Sequence, residues 1–152
     1  MGQKFTFKKT VYLSDTNSFG NTYFAKYFEW QGMAREEFFK EISGNYAEML
    51  TAGIKYITIS ASTNYRNESI LFDKICITVE PKRISLTTVE LVFTIENSEK
   101  KEVIAMGKQK IGFSTMDGVI VPIPRELLEG AKKYLDNDGV KNVDKIIEKL
   151  NG

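Results

Sequence analysis

The sequence predicts an α+β domain in which a five-stranded antiparallel sheet wraps around one long helix, with small helices at the C-terminus. Three observations predict this class. The length of 152 residues is that of one ordinary domain. A long and very apolar helical stretch lies near the N-terminus, and alternating strands joined by short turns follow it. A helix that apolar must be covered, and the sheet is the element that can cover it.

The N-terminal elements follow from the spacing of apolar residues. A strand is predicted over Phe5–Leu13, where Phe5, Phe7, Val11 and Leu13 share one face and Lys9 interrupts it. Ser14–Thr22 has the composition of a loop. A helix is predicted over Tyr23–Ile42, and Gly44-Asn45 ends it. Its predicted apolar surface comprises Phe24, Tyr27, Phe28, Trp30, Met33, Ala34, Phe38, Phe39 and Ile42.

Four more strands are predicted after a short helical turn, Tyr46–Ala52, which Gly53 closes. These strands cover Ile57–Tyr65, Asp73–Val79, Thr87–Ile95 and Val103–Thr115. In the first of them, one face is predicted to carry Ile57, Ile59, Ala61, Thr63 and Tyr65. Gly107 and Gly112 in the last strand indicate a bulge or the close approach of another group.

The C-terminal segment is predicted to be helical. Pro124 suits the first turn of a helix over Arg125–Leu135. A last helix carries an apolar stripe of Val140, Val143, Ile146, Ile147 and Leu150. We therefore expect residues 1–152 to form a single domain, with 124–152 as a helical extension. A small sheet with an unprotected edge also favours a homodimer or homotetramer.

Composition excludes several classes of function. Lys plus Arg number 21 and Asp plus Glu number 20, so the net charge of +1 favours neither nucleic acid nor a membrane surface as a partner. The absence of His removes Ser-His-Asp and Cys-His nucleophiles and His metal ligands. Cys76 is the single cysteine, which forbids an internal disulfide and fits the cytoplasm. We expect no metal and no cofactor.

The densest polar sequence is Asp15-Thr16-Asn17-Ser18-Phe19-Gly20-Asn21-Thr22, immediately before the long helix. The N–H groups of a helix N-terminus are suited to binding an oxyanion or a polarised carbonyl. The same residue types also form ordinary caps and turns. Polar residues on the following helix, Gln31 and Arg35, are expensive to bury without a partner or a task. Arg35 could equally pair with a surface glutamate.

A family resemblance is carried by these residues. The loop followed by Tyr27 is similar to the D-T-D-x-x-G-H-x-x-x-x-x-Y pattern of hotdog-fold thioesterases of the 4-hydroxybenzoyl-CoA thioesterase type, with Asn17 in place of the second Asp and Asn21 in place of the His. A narrower match covers Thr16–Phe38 and includes Trp30-Gln31-Gly32 and Arg35-Glu36. It resembles the T-N-x-x-G-N-x-Y-x-x-x-Y-x-x-W-Q-G-x-x-R-E-x-F signature of the enediyne polyketide thioesterases.

The resemblance implies hydrolysis of an acyl or β-ketoacyl thioester carried on an acyl carrier protein or on CoA. It assigns catalysis to Asn17, Arg35 and Tyr27, without a carboxylate base. The substrate-binding residues are then expected at the helix N-terminus and on the first helical turns: Gly20, Asn21, Thr22, Tyr23 and Trp30. Packing in the core is the ordinary alternative for Trp30.

Two other functions remain open at this point. One is a generic acyl-CoA thioesterase with Asp15 or Glu36 as the base, although Asp15 also suits a turn cap and Glu36 a surface position. The other is a hotdog protein that binds acyl thioesters without hydrolysing them, because the usual carboxylate is missing. Lys82-Arg83 and Lys100-Lys101 could meet a carrier protein or CoA phosphates, although charged turns are usually only solvated.

Overall fold

The structure is a computed structural model and describes residues 2–44 and 46–152. Its helices are α1 (Lys26–Ser43), α2 (Tyr46–Thr51), α3 (Arg125–Ala131) and α4 (Asn137–Asn151). Its strands are β1 (Phe5–Thr10), β2 (Ile54–Tyr65), β3 (Lys74–Lys82), β4 (Thr88–Asn97) and β5 (Glu102–Thr115). They form one antiparallel sheet in the order β1-β3-β4-β5-β2. The predicted α+β architecture is confirmed, and β1 and β2 are the two edges.

The core lies between the inner face of the sheet and α1. Alternate residues of β4 are buried, as predicted, with Leu91, Phe93 and Ile95 fully inaccessible to solvent. Trp30 and Phe38 of α1 are buried to the same extent. Burial of each large apolar side chain contributes about 1.5–3 kcal/mol, so this contact fixes the helix against the sheet.

The long helix begins three residues later than predicted, at Lys26 rather than Tyr23. The carbonyl of Tyr23 accepts the N–H of Lys26 at 2.9 Å, which closes a turn of three residues rather than the four of an α-helix, while Thr22 N–H donates to Ser69 O and Tyr23 N–H to Asp15 O, both at 2.8 Å. The prediction that Phe24 and Phe28 join the buried face is also wrong, since both are exposed, as is Met33. The helix ends at Ser43, followed by Gly44 with φ +69°, and Asn45 lies outside the described residues.

The first strand is shorter than predicted and ends at Thr10. Val11 is buried, but Leu13 lies in a 3₁₀ turn, Leu13–Asp15, and is 75% exposed. Lys9, the residue that interrupts the apolar pattern, forms an ion pair with Asp15 at 3.2 Å. The chain therefore leaves the sheet where this pair forms.

A bulge in β2 corrects the predicted alternation of that strand. Thr58 pairs with Ile111 and Ser60 with Lys110, which leaves Ile59 unpaired. One extra residue reverses which side chains face inward. Thr58, before the bulge, and Thr63, after it, both face α1. Ile59 lies on the outer face of the sheet and is 51% exposed.

The C-terminal helices cover the distal half of α1. Residues 125–135 form α3 and then a separate 3₁₀ turn, Lys132–Tyr134, rather than one helix. Leu127 and Leu128 are buried, and a Cβ at Gly130 would overlap the backbone of Ile42. The stripe on α4 is confirmed: Val143, Ile146 and Ile147 are buried. Among the described residues, no helix combines the length and apolar character needed to cross a membrane.

Gly107 provides a stability prediction, because its close approach to another group is confirmed. A Cβ at this position would lie 2.6 Å from Cδ of Gln31. We expect Gly107→Ala to lower the free energy of unfolding by about 1–3 kcal/mol, the usual range for overpacking. Urea denaturation measures this effect. Gly32→Ala in α1 is the matched control, because nothing lies within 4 Å of its Cβ and Ala favours a helix by about 1 kcal/mol. Equal stability of both variants would contradict the prediction.

Candidate active site

The loop before α1 is a closed turn that fixes Asn17. Asn17 N–H donates to Asn21 O at 2.9 Å, and Gly20 N–H donates to Asn17 O at 3.1 Å. Gly20 has φ +90°, a conformation that favours glycine. The Oδ1 of Asn17 accepts the N–H of Phe19 at 2.9 Å. The amide oxygen is committed to the turn, and the Nδ2 donor of Asn17 has no hydrogen-bond partner among the described residues.

Free backbone donors lie at the start of α1. The N–H groups of Gly20, Thr22 and Tyr23 already have acceptors within the loop and in Ser69. Within the described chain, the N–H groups of Phe24, Ala25 and Tyr27 have none. They are the unsatisfied donors of a helix N-terminus, which carries a partial positive charge. Together with Asn17 Nδ2, they are suited to bind a carbonyl oxygen that acquires negative charge.

Tyr27 belongs to a buried hydroxyl cluster that also includes Thr22 and Ser69. Tyr27 Oη lies 2.9 Å from Ser69 Oγ, which lies 2.5 Å from Thr22 Oγ1. Burial raises the pKa of Tyr27, so its hydroxyl stays protonated at neutral pH and cannot act as a base. Ser69 is fully buried and was not predicted from the sequence, because nothing in its local pattern distinguishes it from other loop serines. The cluster holds the start of α1 against the segment before β3.

Arg35 lies in a separate polar network between α1 and the sheet. Its Nη1 donates to Thr58 Oγ1 at 2.6 Å and to Gln109 Oε1 at 2.9 Å. Its guanidinium also lies 5.0 Å from the ring centre of Tyr56. Arg35 is nine residues beyond the start of α1, or about 14 Å along the helix axis. The structure therefore does not bring Arg35 and Asn17 into contact within one chain.

The other predicted substrate-binding residues differ in accessibility. Tyr23 is 46% exposed and stacks on Phe24 with ring centres 4.9 Å apart. The Oδ1 of Asn21 is buried without a hydrogen-bond partner in the described structure. Thr22 is buried and bonded to Ser69. Trp30 is fully buried, with its ring 5.0 Å from that of Tyr27, so it is a core residue rather than part of the surface of one chain.

The two carboxylates considered as bases lie in different surroundings. Asp15 is 6% exposed, and its Oδ2 accepts the N–H of Tyr12 at 2.9 Å and pairs with Lys9. It therefore caps its turn. Glu36 is exposed on α1. In the part of the chain that the structure describes, no group of three His, Cys, Asp or Glu side chains could hold a metal ion.

Exposed apolar side chains surround the loop. We call them the loop patch, and its members are Phe19, Tyr23, Phe24, Tyr65 and Ile70. Phe19 at the tip is 92% exposed, and Tyr65 is tied to the loop by a 2.8 Å hydrogen bond to Phe24 O. Exposed apolar side chains of this kind are typical of a binding or association site.

Comparison with known proteins then identifies the family. Residues 11–130 match the family described as the thioesterase-like superfamily. The chain belongs to this superfamily. A relative from Aquifex aeolicus (strain VF5), which carries a provisional esterase name, is 26% identical over 129 residues that cover 84% of this chain and 98% of the relative.

Solved structures of thioesterases have the same hotdog fold. The dynemicin thioesterase superimposes with a TM-score of 0.81 at 23% identity, over 87% of this chain and 97% of its own. A 1,4-dihydroxy-2-naphthoyl-CoA thioesterase from Synechocystis superimposes with a TM-score of 0.78 at 17% identity, over 85% of this chain and 96% of its own. A Staphylococcus aureus protein solved in complex with CoA superimposes with a TM-score of 0.82 at 16% identity, over 88% of this chain and 85% of its own. At these identities the likeness of this thioesterase-like chain to the solved structures shows the fold alone.

Proposed function

We propose that the protein hydrolyses an acyl thioester with hydrogen-bond donors rather than a carboxylate base. The observation that carries this proposal is the set of free donors on the loop and at the start of the helix that follows it: Asn17 Nδ2 and the N–H groups of Phe24, Ala25 and Tyr27. Donors fixed in advance stabilise developing negative charge without reorganisation. Membership of the thioesterase-like superfamily makes a thioester carbonyl the group that they would bind.

In the proposed reaction, water adds to the thioester carbonyl and the helix N–H groups stabilise the resulting oxyanion. Asn17 Nδ2 donates to the carbonyl oxygen or orients the water. One proton of the added water passes to the sulfur as the C–S bond breaks, so the products are a carboxylic acid and a free thiol. A thiol has a pKa of about 8.5, so the leaving group needs no strong acid. Asp15 is not required, which is consistent with its ion pair to Lys9.

We propose that the complete site is built by two copies of the chain, because Arg35 and Asn17 do not meet within one. The long edge strand β2 supports this arrangement. It has 12 residues, and Lys55 is the one charged side chain among them. A long edge without protecting charges pairs readily with another strand, and a two-fold contact pairs the same strand of each copy. Arg35 lies beside this edge through Thr58, so the second copy could bring its Asn17 to Arg35.

The proposed substrate is a polyketide or other β-ketoacyl chain on an acyl carrier protein, with an acyl-CoA as the simpler alternative. The Thr16–Phe38 signature supports the polyketide assignment, and the dynemicin thioesterase, which binds a polyene, is among the structures with this fold. The protein solved with CoA supports CoA thioesters. The decisive experiment measures release of free thiol from β-ketoacyl carrier protein and from acyl-CoA thioesters of increasing length.

A second candidate function is binding of acyl thioesters without turnover. The observation that favours it is that no carboxylate of the loop is free, since Asp15 is paired with Lys9. A single measurement distinguishes the two functions. Saturable binding without thiol release on any member of the substrate series would support the binding function and contradict the hydrolase.

The proposed association gives a prediction for Ile59, which is half exposed on β2. We expect the parent protein to sediment as a dimer or tetramer at micromolar concentration. Ile59→Lys should shift it toward the monomer, because the two-fold contact would bring two added charges together. Leu50→Lys is the control, since Leu50 is 55% exposed on α2 and lies off the sheet. A monomeric parent protein would contradict the two-copy site.

A further inference from the structure

A chain of side-chain amides runs from Arg35 into the protein interior. Gln109 on β5 accepts from Arg35 at 2.9 Å and donates through Nε2 to Gln31 Oε1 at 3.1 Å. Gln31 on α1 in turn donates through its own Nε2 to Thr63 Oγ1 on β2, at 2.8 Å. Gln31 is fully buried and Gln109 is 4% exposed. The chain therefore joins the helix to two strands at a place where solvent does not compete for its hydrogen bonds.

Arg35 sets the direction of every amide in this chain. A guanidinium only donates, so Gln109 must turn its oxygen toward Arg35 and its nitrogen toward Gln31. Gln31 must then turn its oxygen toward Gln109 and its nitrogen toward Thr63. Each amide thus has one orientation that satisfies both neighbours, and the order is fixed from Arg35 to Thr63.

The backbone makes room for this arrangement at Gly107. A Cβ there would overlap the Gln31 amide, so Gly107 is the residue that permits Gln31 to lie between the helix and β5. In addition, no carboxylate of the described residues lies within ion-pair distance of Arg35. Within the described residues the guanidinium is therefore anchored by neutral oxygens, without an ion-pair partner.

We propose that Gln109 and Gln31 are positioning residues for Arg35. They hold its guanidinium in one place and orientation, with its charge available to the reacting acyl group. This inference rests on the proposed function, in which Arg35 acts at the thioester site. It goes beyond that function because it assigns the geometry of Arg35 to two buried amides on different elements.

A double-mutant cycle tests this role. Gln109→Met removes the acceptor with little change in volume, and we expect kcat to fall about 10- to 100-fold, the effect of a small misplacement of a reacting group. In an Arg35→Met background, Gln109→Met should have no further effect on kcat, because a positioning residue acts only through the group that it positions. Ser114→Ala is the control: Ser114 is also buried on β5, but it bonds to Thr115 and should leave kcat unchanged.

A second readout does not depend on any substrate. In ¹⁵N-edited NMR spectra, the Nη protons of Arg35, assigned by their loss in Arg35→Met, should exchange slowly in the parent protein. They should exchange faster in Gln109→Met, and to a smaller extent in Gln31→Met, while thermal unfolding shows that both variants are folded.

The outcomes separate the two proposals. A fall in kcat for Gln109→Met that is equally large without Arg35 would overturn the positioning role and leave the thioesterase function standing. Unchanged Arg35 signals in Gln109→Met would overturn it as well. If Arg35→Met were as active as the parent protein, Arg35 would not belong to the proposed site. Gln109 and Gln31 would then have no catalytic group to position.

Discussion

Replacement of Asn17 by Asp is expected to lower kcat about 10²- to 10³-fold while leaving the loop intact, the usual effect of losing one oxyanion-stabilising donor. An aspartate can still accept the N–H of Phe19, which Asn17 Oδ1 accepts at 2.9 Å, so the turn is preserved. What is lost is the Nδ2 donor. The new negative charge would also repel an oxyanion.

The pH dependence of this variant distinguishes the donor mechanism from a carboxylate mechanism. The parent protein has no His, so its kcat should be flat through the range where His titrates. In Asn17→Asp, the carboxyl group becomes an O–H donor when it is protonated, below a pKa of about 4 for an ordinary Asp. We therefore expect its activity to recover as the pH falls toward that value.

A base mechanism predicts the opposite pH dependence, with activity falling as the pH falls, because a protonated carboxyl group cannot accept a proton from water. A several-fold gain in kcat for Asn17→Asp, with activity that rises with pH, would show that this pocket suits the ordinary carboxylate mechanism. Asn17→Ala is the companion variant. It loses the turn contact and the donor together, so its activity should also be low at neutral pH, and it should show no recovery in acid.

Replacement of Arg35 by Lys is expected to lower kcat about 10²-fold even though the charge is kept. The guanidinium of Arg35 reaches Thr58 and Gln109 together and stacks on Tyr56 at 5.0 Å. An ammonium group is a point charge without that planar geometry, so it cannot hold the same position. Steady-state hydrolysis of the best thioester substrate measures the effect.

The stability of the Arg35 variants must be compared as well. Arg35→Met leaves the buried Oε1 of Gln109 without its donor, which should cost about 1–3 kcal/mol of unfolding free energy. Arg35→Lys should cost less, because an ammonium group can still donate to one of the two oxygens. Near-parental kcat for Arg35→Lys would mean that charge alone suffices and that the fixed orientation is unimportant.

Local patterns were sufficient for the elements that bury one clear face. The alternation of β4 and the stripe of α4 were predicted from the sequence and are confirmed, because tertiary packing follows the same periodicity. The close approach at Gly107 was also indicated, although its partner Gln31 was not. The reason is that a glycine shows that space is needed without showing which side chain fills it.

The errors arose where a distant backbone group decided the local structure. Thr22 and Tyr23 lie before α1, where Ser69 O and Asp15 O accept their N–H groups and hold the chain in a turn. Ile59 changed faces because pairing with β5 places a bulge there, which no alternation pattern within β2 can show.

The sequence by itself determined the α+β class, the order of the elements, the loop that carries Asn17 and the exclusion of His chemistry, since each depends on composition or on neighbouring residues. The tertiary structure alone decided the contacts of Arg35, whose partners Thr58 and Gln109 are 23 and 74 residues away along the chain. It also decided which amide N–H groups remain free at the start of α1 and that Ser69 joins Thr22 and Tyr27. These features depend on where the folded sheet places groups that are remote in sequence, and hydrogen bonds over such separations leave no local pattern.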